Sequence, residues 1–445
     1  MEQLFLQLEV FNALLWGYGG VFCIAVFGIL LSIQSKWMQI RKFKDTALLF
    51  WETLLQATRP KSAVVDTSRG TSPLKAFFAS VGGCIGIGNL VTISIAIKIG
   101  GPGALVWIWL VAFLAMILKY AEIYLGIKFR IPNGKNSYNG GPMYFLGKAF
   151  PKFPALPFIM AFFLCIYGVE IFVFSVIKDT LVHNWSLPPL AVMVGLIGLI
   201  VLGLSGGVRR MGTISGLLIP LFVSIFCFMT TWILIENITQ IPAMFGLIFR
   251  SAFSGHAAVG GFVGSTFLIV LAKGFSAAAY SGDVGIGYAS IIQSEARAKS
   301  PQDQAGLSIF GIFVDTFIVC TATVLLVVVT GVWKEPIGGE MMVQMALSQY
   351  FPYMEYFMPL FLFTLGYTTI LPYFFAGMKA AQFMSPTYGG RIYACYGFIA
   401  FVVFSFYDNR FALTIMNIAG GMLMLINIPA LYKLRHHIVF SVPKN

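Results

Sequence analysis

Of 445 residues, 58% are hydrophobic and only 10% charged, with 43 Phe and a mean hydropathy of +0.85. No water-soluble domain covers its surface with such a composition, so lipid is the solvent for most of this chain. The net charge of +12 would suit nucleic acid, but Lys and Arg are distributed by loop rather than gathered on one face, which argues against that partner.

Apolar stretches long enough to cross ~30 Å of hydrocarbon at about 1.5 Å per residue recur from end to end. They predict an all-α polytopic membrane protein with about eleven spans, at 13–34, 76–99, 103–128, 154–177, 188–205, 211–235, 257–292, 305–333, 354–383, 391–407 and 411–432. With the amino terminus outside, segments 35–75, 128–153, 206–210, 293–304, 379–391 and 433–445 face the cytoplasm and hold 22 of the 29 Lys and Arg. The outer segments carry Lys178, Arg250, Lys334 and Arg410, so the positive-inside rule selects amino terminus out and carboxyl terminus in, in a cell membrane. The first apolar run is too long for a signal peptide and follows Glu2 and Glu9, not a basic start, so it is expected to be retained. Six widely separated Cys fall inside spans, which disfavours disulfides and zinc.

After the first span, residues 35–75 place Lys36, Arg41, Lys42 and Lys44 beside Trp37, Phe43, Phe50 and Trp51. That pattern predicts a basic amphipathic segment on the inner leaflet, with a solvated loop as the plainer alternative.

Two later spans differ from the rest. The span at 76–99 contains Gly82, Gly83, Gly86, Gly88 and Asn89, and the span at 257–292 contains Gly260, Gly261, Gly264, Gly274, Gly282, Gly285 and Gly287. Each opens a group of five, and glycine-interrupted spans at matching places in two halves point to a transporter built from inverted repeats. The halves would be 76–236 and 256–433, preceded by an extra helix at 13–34, in one transmembrane domain covering 1–445. Ala76 to Ile85 is about 15 Å of helix, which puts the first glycine cluster near mid-membrane. A continuous helix over 257–292 would be roughly 50 Å long, too much for a bilayer without a break or a steep tilt.

A helix broken at the midplane leaves free carbonyls at the end of its first half and free N–H groups at the start of its second. Carbonyls around Gly82, Cys84 and Ile85 would suit a small cation, with the Asn89 amide oxygen as a further ligand, while the N–H groups of Ile87 and Gly88 would suit a carboxylate. The same glycines would also serve plain close packing of helices. Intramembrane ionisable residues are few: Lys119, Glu122, Glu170, Lys273, Asp283 and Asp315. Asp283 lies among glycines that predict irregular backbone. Glu122 is expected either to cap the N–H groups of the second broken span or to take part in gating. Asp315 joins a hydroxyl-rich patch with a structural or gating role, and Glu170 is expected at a partly wet position near the outer surface. Thr368 and Thr369 offer adjacent hydroxyls for a sodium ion, although membrane Thr commonly bonds its own helix. The four His are too scattered for a catalytic set, and none of the usual enzyme constellations can be assembled.

From Trp16 to Tyr432 the chain resembles the alanine or glycine:cation symporters, also called sodium:alanine symporters. The resemblance is carried by Gly86-Ile87-Gly88-Asn89, Gly100-Gly101-Pro102-Gly103-Ala104, Lys119-Tyr120-Ala121-Glu122, Gly140-Gly141-Pro142-Met143-Tyr144, Gly206-Gly207-Val208-Arg209-Arg210, Gly260-Gly261-Phe262, Val314-Asp315-Thr316 and Thr368-Thr369-Ile370-Leu371. It implies a LeuT-like five-plus-five inverted repeat with one extra amino-terminal helix, sodium as coupling ion and no cofactor. It also implies a small neutral amino acid, alanine or glycine, as substrate. By that similarity Gly82, Ile85, Thr368 and Thr369 surround one sodium, and Ile87 and Gly88 meet the substrate carboxylate. The chain departs from the family pattern at Tyr280 to Ser290, at Pro372-Tyr373 and at Val91-Thr92-Ile93. These departures lie beside the expected pocket, whose candidate residues are Gly86, Ile87, Gly88, Asn89, Ser281, Asp283 and Tyr373. The expected function is sodium-coupled symport by alternating access. A proton-coupled carrier of another solute, titrating Glu122 or Asp283, and an uncoupled facilitator are the alternatives.

Overall fold

The computed structural model describes residues 2–58, 69–134, 137–254 and 267–442. Helix α1 spans Phe5–Gln34 through a π segment at Leu15–Gly20. It is followed by α2 (Phe43–Thr58), α3 (Pro73–Cys84), a π turn at Gly88–Thr92, α4 (Ile93–Gly100) and α5 (Ala104–Lys128). A short hairpin of β1 (Ile131–Asn133) and β2 (Ser137–Asn139) precedes α6 (Pro142–Ala149), α7 (Leu156–Tyr167), α8 (Ile171–Trp185), α9 (Pro189–Leu204) and α10 (Gly207–Glu236). Then come α11 (Ile241–Ser254), α12 (Phe267–Gly282), α13 (Tyr288–Gln293) and α14 (Pro301–Ile312), which continues through a π segment, Phe313–Cys320, into α15 (Thr321–Val329). The last four are α16 (Gly339–Ser348), α17 (Met354–Met384), α18 (Gly389–Phe404) and α19 (Asn409–Lys433).

Among the described residues eight helical runs are long and apolar enough to cross a membrane, and shorter apolar helices lie at Pro189–Leu204, Ile238–Phe253 and Gly389–Phe404. Among the described residues every predicted span has a helical counterpart, with three corrections. The first helix begins well before residue 13, because Leu6, Val10 and Phe11 extend its apolar face across the intervening polar residues. The span at 154–177 is two helices, interrupted at Gly168 to Glu170, where Glu170 takes a left-handed φ of 54°. The segments after 236 and after 333, left outside the predicted spans, contain α11 and α16, whose apolar faces are too short to register as spans. Segment 35–75 is helical over α2, which turns Phe50 onto Phe77 and Phe310 and leaves Trp51 exposed. Residues 59–68 of that segment, and His256, Gly260, Gly261 and Gly264, lie outside the described residues.

Local chemistry sets the helix ends. The Ser72 side chain accepts from Lys75 N at the start of α3, with Pro73 pre-set for the first turn. At α14 the Ser300 and Asp303 side chains accept each other's backbone N–H in a capping box. The run from α3 to α4 is the innermost, with 94% of its most apolar window buried against 33% for α10. A helix apolar all round belongs at the centre of a bundle. Here α3 packs on α10 and α17, while α5 packs on α12, α13 and α14, so two interrupted helices run through the middle of the molecule.

Candidate functional site

The first interruption follows Cys84. Ile85 donates back to Val81 O at 2.7 Å but has ψ 93°, which turns the chain out of helix, and the helix resumes at the π turn. Asn89 closes this gap: its Oδ1 accepts the Gly86 N–H at 2.8 Å, and its Nδ2 donates to Asp315 Oδ1 at 2.8 Å and Asp315 O at 3.2 Å. The acceptor role toward Gly86 fixes which end of the amide is oxygen. So the oxygen assigned to a cation from sequence already has one lone pair committed to backbone. Asp315 Oδ2 accepts from Thr316 Oγ1 at 2.8 Å, and the whole group is buried.

On the opposite side of the same break, Thr369 Oγ1 lies 3.2 Å from Gly82 O and 3.0 Å from Leu365 O, and Thr368 Oγ1 donates to Leu365 O at 2.8 Å. Glycine is required here by close approach. A Cβ on Gly86 would strike Thr369 Oγ1, and one on Gly82 would lie 2.9 Å from Ser215 Cβ and 3.2 Å from Thr368 O. Gly82, Gly86, Thr368 and Thr369 are therefore brought together, with Leu365 and Ser215 as members that the sequence reading missed. Leu365 was findable, because a Thr pair bonding back three and four residues selects that carbonyl. Ser215, one hydroxyl on α10, gave no such signal.

The second interruption follows Gly282. Asp283 has φ 50°, and Gly285 and Gly287 have φ 69° and 99°, so the chain reverses through left-handed backbone before α13. Helix α5 presents both charges to this gap from one face, because residues three apart sit one above the other. Lys119 Nζ lies 2.9 Å from Gly282 O, 2.8 Å from Asp283 O and 2.8 Å from Asp283 Oδ2. Glu122 accepts from Gly287 N at 3.2 Å, Ser290 N at 3.3 Å and Asn427 Nδ2 at 3.1 Å. The cation covers the carbonyl end of α12 and the anion covers the amide end of α13, the signs that helix dipoles favour. Lys119 also approaches Cys84 Sγ at 3.6 Å, which links the two interruptions.

Ser281 Oγ lies 3.4 Å from Cys320 Sγ, and Cys320 Sγ is 3.2 Å from Asn89 Nδ2, so Ser281 belongs with the Asn89 group. Gly88 faces the same place: a Cβ there would be 3.5 Å from Ser281 Cα and 3.6 Å from the Tyr280 ring. Tyr373 stacks on Tyr288 at 4.0 Å between centroids and meets Tyr167 edge-on at 5.5 Å. Tyr167 also meets Tyr280, at 6.2 Å, and so joins Tyr373 to the Ser281 side. Glu170 is corrected from a wet surface position to a buried one: the break between α7 and α8 turns it inward, where Tyr280 Oη donates to it at 3.0 Å. A cavity of about 1060 Å³ lies between α1, α4, α8, α12 and α19, and its lining includes Phe172 and Ser276, one turn before Tyr280.

The profile of the sodium:alanine symporter family matches residues 1–444. A sodium/alanine symporter, AgcS, of Methanococcus maripaludis is 29% identical over 94% of this chain and 92% of its own. The probable sodium/glutamine symporter GlnT of Bacillus subtilis is 23% identical over 98% and 89%. A crystal structure of MhsT in complex with L-phenylalanine superposes over 80% of this chain and 89% of that one, with a TM-score of 0.56 at 15% identity, which shows a shared LeuT-like fold. With interrupted helices at its centre and a family match from end to end, the chain is a transporter, not an enzyme, and belongs to the sodium:alanine symporter family.

Proposed function

We propose that this protein carries a small neutral amino acid, alanine or glycine, across the membrane together with sodium by alternating access. The observation that carries the reading is the convergence of Gly82 O, Leu365 O and the Thr369 hydroxyl at the break after α3. Oxygen ligands of that kind suit a hard monovalent cation, and closely set carbonyls are what an unwound membrane helix offers it. A cation there, together with Ile85 O and the Thr368 residue, would draw α17 onto α3. The N–H groups of Ile87 and Gly88, at the start of the next helical turn, would then receive the substrate carboxylate.

Gly88 already lies at contact distance from Ser281 and Tyr280, 3.5–3.6 Å for a Cβ, so a pocket opened there during transport would admit a substrate with a small side chain. Asn89 and Asp315 are hydrogen-bonded beside that contact, and Lys119, Asp283 and Glu122 brace the second interruption. The amino terminus is placed outside, on the strength of the basic residues in segments 35–75 and 128–153.

The test is uptake of labelled alanine, glycine and glutamine into liposomes containing the purified protein. An inward sodium gradient is compared with potassium and with a proton gradient. Accumulation of alanine or glycine above the external level with sodium alone supports the reading. Accumulation driven by protons alone, or equilibration without accumulation, would replace it with the proton-coupled or the uncoupled alternative.

A further inference from the structure

A second concavity, of about 700 Å³, lies between α3, α10 and α14 with α2 across one end. Its walls are apolar, formed by residues such as Phe78, Val81, Leu217, Val223 and Val314, and its far end is Ile85, where α3 breaks. Glycines keep it open: a Cβ on Gly216 would stand 3.3 Å from the Phe78 ring, and one on Gly311 3.3 Å from Phe77.

Depth and charge together identify the occupant. Ten residues separate Lys75 at the mouth from Ile85, about 15 Å of helix, which is half of a ~30 Å hydrocarbon core. The groove therefore runs from the membrane surface to mid-depth, the reach of an acyl chain in one leaflet. Its mouth is basic. Gly212 packs against the Lys75 carbonyl, and Arg209 and Arg210, both exposed, lie within one turn of Gly212 on α10, with Arg210 Nη1 donating to Ser205 Oγ at 2.9 Å beside the mouth. Among the described residues neither Lys75 nor Arg209 is in an ion pair. Basic side chains at the surface end of an apolar membrane groove attract an anionic headgroup.

We propose that this groove is a binding site for an anionic glycerophospholipid. One acyl chain lies along α3 to Ile85, and the phosphate rests at Lys75, Arg209 and Arg210. The lipid braces α3 against α10 and α14, so it bears on the interruption without touching the Asn89 group. The site depends on the membrane fold alone and does not require that the cargo be alanine or the driving ion sodium.

The experiment is native mass spectrometry of the full chain released from detergent micelles, with phosphatidylglycerol or phosphatidylcholine added back. We expect one phosphatidylglycerol to be retained per protein, and phosphatidylcholine to be retained at least about tenfold less well. The triple variant Lys75→Gln, Arg209→Gln, Arg210→Gln changes only the mouth and should lose that preference. Gly216→Phe fills the groove and should lose both lipids, and the triple variant decides the matter if Gly216→Phe does not fold. Equal retention of the two lipids by the parent, or an undiminished preference in the triple variant, would overturn the proposal. Retention of a free fatty acid in place of the phospholipid would overturn it as well.

Discussion

Lys119 and Asp283 form an ion pair closed to solvent, Nζ to Oδ2 2.8 Å, and the same ammonium covers the last carbonyls of α12. Two charges taken out of water repay their desolvation only when geometry and extra hydrogen bonds are good, and removing one partner strands the other. Lys119→Met should therefore cost on the order of 3–5 kcal/mol. It should appear as a lowered melting temperature and a poor yield of monodisperse protein. Lys119→Met with Asp283→Asn leaves no buried charge and should recover much of the loss. A single variant that melts like the parent would show that the pair does not hold this region.

Glu122 accepts three donors, Gly287 N, Ser290 N and Asn427 Nδ2, and among the described residues it is in no ion pair. Glu122→Gln keeps the volume but turns an NH2 toward an N–H, so one donor loses its partner. An unsatisfied buried polar group costs about 1–3 kcal/mol. The expected result is slower uptake and lower thermal stability with the half-saturating sodium concentration nearly unchanged. A large shift in sodium or pH dependence, with stability intact, would move Glu122 from support of α13 to the coupling step.

The two interruptions were legible because the glycine clusters stand at matching places in two halves, beside Asn89 in one and in an overlong run in the other, and the structure breaks the helices at 85–87 and 283–287. Less legible was whatever depends on which neighbour a break faces. Gly168 and Glu170 mark a third interruption, but a single glycine beside a single carboxylate reads equally well as a helix end. Lys119 stood out only as a costly residue. Its place over the Gly282 and Asp283 carbonyls follows from the packing of α5 on α12, which no spacing in the chain specifies. Ser215 and the contribution of α1 to the cavity of about 1060 Å³ were invisible for the same reason. Helices α11 and α16 were missed because hydropathy over a membrane-length window does not detect short helices.

Gly82 gives a test of close approach that leaves the chemistry of the backbone intact. A methyl group on Gly82 would lie 2.9 Å from Ser215 Cβ and closer still to its hydroxyl. Gly82→Ala should force α3 away from α10 and suppress uptake. Combining it with Ser215→Gly removes the obstructing atoms and should restore part of the rate. Failure of the second change to help, in protein that is folded by melting curve, would show that the obstacle lies on the Thr368 side.

Thr368 and Thr369 are neighbours in α17 with different surroundings, and the difference decides which hydroxyl would meet the proposed cation. Thr369 Oγ1 bonds back to Leu365 O at 3.0 Å but also reaches across to Gly82 O at 3.2 Å, whereas Thr368 Oγ1 donates back to Leu365 O at 2.8 Å, the ordinary use of a Thr in a membrane helix. Valine matches threonine in shape, so Thr369→Val removes an oxygen and little else. Interactions of polar groups with a charge are worth about 1.5–3 kcal/mol, which corresponds to a rise of about tenfold or more in the sodium concentration needed for half-maximal uptake. Thr368→Val should raise it less, because the Thr368 carbonyl near Gly82 survives the change. The measurement is sodium titration of alanine uptake in proteoliposomes for both variants. A larger shift for Thr368→Val would place the cation on the other hydroxyl, and no shift in either would remove it from this face of α17.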